Sequence, residues 1–115
     1  MIKGIHHFSM IVSSEQSVRF YEGLGFKEVF RKERPYDTVV LMEGFGTGLE
    51  LFIDPIHPKR AEKPEALGLR YLSLQVENLE TCIQKYECGP IREDWKGIRY
   101  TMTKDPDGLP VQFHE

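Results

Sequence analysis

The sequence predicts an α+β chain built from two βαβββ modules. Three observations carry that prediction: a weak internal repeat, an apolar helical stripe after each repeated strand, and turn chemistry that cuts the rest into strand-length runs. GIHHFSMIVSSEQSVRFY (4–21) lies on GLRYLSLQVENLETCIQKY (68–86) without a gap through the strand, so Gly4 meets Gly68, Ile5 meets Leu69, His7 meets Tyr71, Ser9 meets Ser73 and Val12 meets Val76. Self-similarity of this kind marks a duplicated supersecondary unit.

Each element follows in order. A strand runs from Gly4 toward Val12, with Phe8, Met10 and Val12 on one face and His7, Ser9 and Ile11 on the other. A helix starts at Ser13, where Gln16 completes the pattern in which two side chains satisfy orphan amides reciprocally, and ends near Gly23 or Gly25. Three strand runs come next, FKEVFR (26–31), DTVVLMEG (37–44) and TGLELFI (47–53), separated by Arg34-Pro35 and by the glycines from Gly44 to Gly48.

DPIHPKRAEKPEA (54–66) holds three prolines and many charges, which suits a surface linker. The second copy opens on a strand with Leu72, Leu74 and Val76 on its core side and Tyr71, Ser73 and Gln75 opposite. A helix near Asn78 carries Leu79, Cys82, Ile83 and Tyr86 on one face, and PIREDW (90–95), IRYTMTK (98–104) and LPVQFHE (109–115) follow. Lys96-Gly97 and the DPDG turn at 105–108 separate them, the latter read as a reversal rather than a ligand. The organisation is one domain: module 1 at 1–53, linker 54–66 and module 2 at 67–115.

Composition bounds the function. A chain of 115 residues suits one compact domain, and 29% charged and 40% hydrophobic residues with a net charge of -3 are ordinary for a globular protein. Basic residues are interleaved with acids, as in RKERP (31–35) and PKRAEKPE (58–65), which argues against a nucleic-acid surface. No apolar run is long enough for a membrane span, and MIKGIHHF lacks the features of a signal peptide, so the expected location is the cytoplasm. Cys82 and Cys88 form no CxxC pair and are read as reduced thiols.

The last strands of the two copies align Leu49 with Val111, Glu50 with Gln112 and Leu51 with Phe113. If each half curls its sheet, His7, Glu50, Tyr71 and Gln112 line the concave face, with Phe52 and His114 on the same wall. His6, on the Phe8 side, is read as structural. Glu50 sits among Leu49, Leu51 and Phe52, where an unpartnered charge is costly, so it needs a cation or a donor. Tyr71 is open to a packing role, and Arg99, Tyr100 and Trp95 are as suited to the core as to a ligand.

These segments together resemble the vicinal oxygen chelate superfamily, which includes glyoxalase I, fosfomycin and bleomycin resistance proteins, and extradiol dioxygenases. The features are IHHFSMIVS with FYEGLGF (20–26), LELF (49–52), PEALGLRYLSLQVENLE (64–80) and KDPDGLPVQF (104–113), spanning essentially the whole chain. The resemblance implies a rolled, mostly antiparallel mixed sheet, the glyoxalase/bleomycin resistance fold, whose interior binds a divalent metal such as zinc, nickel, manganese, cobalt or iron. It carries His7, Glu50 and Gln112 over as metal ligands and Glu50 as the catalytic carboxylate. Tyr71 lines the site at a replaced ligand position: histidine is usual there, as glutamate is at Gln112.

An amide oxygen is a weak neutral donor, and a phenol must lose a proton of pKa about 10 to bind a metal well. The resemblance implies a lactoylglutathione lyase-type enzyme, a lyase or isomerase acting on a small vicinal-oxygen substrate. The alternative is a metal-free binding protein of the bleomycin resistance type, and an extradiol dioxygenase is a third. A homodimer is expected, because half-sheets leave apolar edges that a two-fold partner covers.

Overall fold

The linker is where the chain divides: the computed structural model, which describes residues 1–115, separates into two units, Met1–Lys59 and Arg60–Glu115. In the first unit the order is β1 (His7–Val12), α1 (Glu15–Leu24), β2 (Lys27–Glu33), β3 (Thr38–Gly44) and β4 (Thr47–Ile53). The second unit has β5 (Leu72–Gln75), α2 (Leu79–Lys85), β6 (Arg92–Glu93), β7 (Arg99–Lys104) and β8 (Pro110–His114). The two βαβββ modules of the predicted α+β fold are therefore present.

Each unit forms a four-stranded mixed sheet of one topology, β1-β4-β3-β2 and β5-β8-β7-β6. The strand before the helix lies parallel to the last strand, and the other neighbours are antiparallel. The register repeats too, with Ser9 opposite Glu50 and Ser73 opposite Gln112. Alternation then puts Leu49 and Leu51 into the core while Glu50 is only half-buried.

In the first unit Met10, Val12, Val40, Met42, Leu49 and Leu51 are buried with Val18 and Tyr21 of α1. Ser14, one residue later than expected, caps α1 by accepting from Gln16 N, and Gly25 closes it at φ 120°, a conformation that favours glycine. Phe8 is exposed, unlike Met10 and Val12 on the same face, because it lies at the open start of the strand.

In the second unit Asn78 caps α2 by accepting from Thr81 N. Leu79 is buried, but Ile83 is exposed and Cys82 only half-buried, so the expected apolar stripe is narrower than its spacing suggested. Thr101 and Thr103 are buried with their hydroxyls donating to Gly89 O and Glu87 O at 2.8 and 2.7 Å, which ties β7 to the chain after α2. Asp105 accepts from Asp107 N and Leu109 N, so the DPDG segment is the expected turn. No helix is long and apolar enough to cross a membrane.

Candidate functional site

In the first unit β1 and β4 bring two of the expected site residues together. His7 Nε2 lies 3.6 Å from Glu50 Oε1, and Ser9 Oγ donates to the same oxygen at 3.0 Å. Glu50 Oε2 has no hydrogen-bond partner, so one carboxylate oxygen is held and the other is free. The side chains keep 34% and 22% exposure, enough for a ligand to reach both.

Gly48 makes this approach possible. It pairs with His7 in the parallel register, its N–H donates to His6 O, and a Cβ there would stand 3.0 Å from His7 Cβ. His6, expected to be structural, is exposed and sits before β1, where strand alternation no longer governs direction. Its Nδ1 is 2.8 Å from His7 Nδ1, with the rings edge to face. When His7 Nδ1 carries the shared proton, its Nε2 turns a lone pair toward the carboxylate, an arrangement that a cation between them relieves.

Sequence reasoning missed Arg34. It donates to both Asp37 oxygens at 2.6 Å, and its guanidinium lies 4.6 Å from the Tyr36 ring centre and 5.5 Å from that of Phe52, two residues beyond Glu50. The hydrogen bonds to Asp37 raise the Arg34 pKa, with a smaller contribution from the charge of Glu50. The readable signal was the RPYD turn, in which Arg34 N donates to Asp37 O.

In the second unit the equivalent pair is Ser73 and Gln112, with Ser73 Oγ donating to Gln112 Oε1 at 2.7 Å. Gln112 is buried, whereas Tyr71 is exposed and precedes β5. Both line a cavity of about 950 Å³ whose wall also includes Arg60, Lys63, Arg92 and Tyr100. The cations of the expected surface linker thus form part of a concave surface. His114, expected on this wall, is held by Asp94 at 2.7 Å and stacked on the lining residue Tyr100, and its hydrogen bond to Asp94 raises its pKa. Trp95 is fully exposed.

A divalent cation fits the first unit's donors. Their 3.6 Å separation is less than twice a metal–nitrogen or metal–oxygen bond of about 2.0–2.2 Å, and imidazole with carboxylate suits zinc, nickel, cobalt, iron or manganese. The second unit's donors fit less well, because Gln112 and Tyr71 offer a neutral amide oxygen and a phenol where the first unit offers carboxylate and imidazole. No three His, Cys, Asp or Glu side chains gather into a metal-holding group. Burial raises the Cys82 and Cys88 thiols above their ordinary range, and both are free.

No protein family profile matches the chain. The uncharacterized protein YwkD of Bacillus subtilis (strain 168) is 38% identical over 126 aligned residues, covering 100% of this chain and 98% of its own. The crystal structure of the glyoxalase family protein from Enterococcus faecalis is 37% identical with a TM-score of 0.89, covering 98% of each chain. The chain belongs to the glyoxalase family of the vicinal oxygen chelate superfamily. A third relative of this glyoxalase-family chain is TnmS3, an antibiotic binding protein from Streptomyces sp. CB03234. It is 25% identical with a TM-score of 0.68, covering 98% of this chain and 95% of its own. Glyoxalase-family membership accounts for the duplicated modules.

Proposed function

We propose that the protein is a cytoplasmic, metal-dependent lyase or isomerase of glyoxalase type, acting on a small molecule with vicinal oxygens. The observation that carries this reading is the His7–Glu50 pair, its nitrogen and oxygen 3.6 Å apart with Ser9 fixing the carboxylate. His7 and Glu50 hold the cation in this reading, with water or substrate oxygens at the open positions. Gln112 is left out of the donor set, because its neutral amide oxygen, which already accepts from Ser73, is a weak donor beside imidazole and carboxylate.

A bound divalent ion supplies Lewis acidity toward the vicinal oxygens. The proton chemistry belongs to Glu50: its free Oε2 is the atom able to take a proton from one substrate carbon and return it to the neighbouring carbon. Ser9, by holding Oε1, keeps Oε2 directed outward. Imidazole from His7 completes the pair, in which Glu50 is the one carboxylate.

Metal content tests this directly. Protein purified without added metal or a histidine tag is expected to carry about one divalent ion per chain by plasma mass spectrometry, and His7→Ala to carry none. Absence of metal from the wild type, even after incubation with nickel, zinc, cobalt and manganese, overturns the reading. A positive result leads to assays with glutathione hemithioacetals.

The second reading is metal-free sequestration of a small molecule. It is favoured by the cavity of the second unit, where Tyr71 and Gln112 replace the usual ligands, and by the likeness to TnmS3. In either reading we take the assembly to be a homodimer, on the strength of the apolar side chains that β1 leaves uncovered.

A further inference from the structure

The cavity of the second unit has a charge balance that neither reading above explains. Five cationic and three carboxylate side chains line it. Two of the carboxylates are spoken for: Glu65 accepts from Arg70 at 2.8 Å and Glu62 lies 3.5 Å from Lys104. Arg60 donates only to the neutral carbonyls of Leu69 and Arg70, at 2.8 and 3.0 Å. Lys63 and Arg92 have no partner at all. Glu87 alone stands against them, so the wall has an excess of positive charge that a bound anion would neutralise.

The floor has a matching polarity. Gln112 is only 8% exposed, and with its oxygen accepting from Ser73, its Nε2 is left with two hydrogens and no acceptor in the chain. In the first unit the residue at the same register position is Glu50, a carboxylate. A carboxylate at position 112 would meet an anion with repulsion; the amide meets it with a donor. Tyr100, Met102 and Pro110 add apolar surface beside these groups, room for the body of an organic molecule.

From this arrangement we infer that the second unit's cavity binds a small organic oxyanion, a carboxylate or a phosphate monoester. Arg92 and Lys63 receive the charged group, and Gln112 Nε2 donates to it from the floor. Arg92 suits either group because its planar fork bonds two oxygens at once, while Lys63 acts as a point charge. The inference rests on the second reading above, which seats a small molecule in this cavity, and it is independent of any cation at His7 and Glu50.

The test is a two-dimensional NMR titration of the full chain at low ionic strength, with a chelator present throughout so that the fate of the metal reading does not enter. The probes are phenylacetate, phenyl phosphate and neutral 2-phenylethanol. Saturable shifts at Ser73 and Gln112 are expected with at least one anion and not with the alcohol, and the better anion tells carboxylate from phosphate. Arg92→Gln and Lys63→Gln, both at exposed positions, are expected to weaken binding by about tenfold each. Lack of saturation with both anions, equal binding of the alcohol, or unchanged affinity in both variants overturns the inference.

Discussion

A missing side chain at position 48 decides how closely β4 approaches His7. Gly48→Ala places a methyl 3.0 Å from His7 Cβ and 3.2 Å from His6 O, and the second contact is backbone that cannot swing away. Overpacking of this kind costs about 1–3 kcal/mol. The expected result is a lower urea midpoint together with weaker cation binding than wild type; wild-type values for both would mean that the His7–Glu50 distance is not set here. At this scale His7, Ser9 and Glu50 were legible, because period-two alternation assigns a face to every residue inside a strand. His6 was not, since it lies outside β1, and Arg34 was not, since a turn rather than a period places it over Phe52.

The element most dependent on its surroundings is α2. Seven residues are too few for a helix to stand alone, so its first turn relies on what it meets. Leu79 N donates to Glu115 Oε2 at 3.2 Å, and Arg99 joins Glu115 to Glu80, clasping β7, β8 and the helix start. The Arg99 guanidinium, then the Leu79 amide, lower the Glu115 pKa from 4.5 to about 2. A depressed carboxylate stabilises the fold fully above its unfolded value, and that contribution is lost as pH falls from 4.5 through about 2. Glu115→Gln is therefore expected to lower the denaturant midpoint at neutral pH and to flatten its fall across that acid window. A variant with the same acid slope as wild type would remove Glu115 from the account. Most elements were legible to within a residue or two, while β6 was overestimated. Asp94 Oδ1 accepts from Lys96 N and Ile98 N, turning the chain early, so only Arg92 and Glu93 pair with β7.

Across the whole molecule the repeat was the most legible feature, because duplicated register fixes equivalent positions without any knowledge of contacts. The cavity was not legible: its cations come from the linker, from the chain before β5 and from β6 and β7, and no periodicity links such positions. The repeat also leaves a consequence for assembly. In the first unit β1 has a sheet partner on one side only, and Ile5, just before it, and Ile11 are 67% and 57% exposed. An uncovered edge strand with apolar side chains invites pairing, and a second copy, related by a two-fold axis, covers the same patch on both partners at once. Sedimentation equilibrium at micromolar concentration is expected to give twice the chain mass of 13.4 kDa, and Ile5→Asp with Ile11→Asp to give the single chain with an unchanged far-ultraviolet circular dichroism spectrum. A wild type that sediments as a single chain would show that these side chains meet solvent rather than a partner, and would leave each chain to carry its own site.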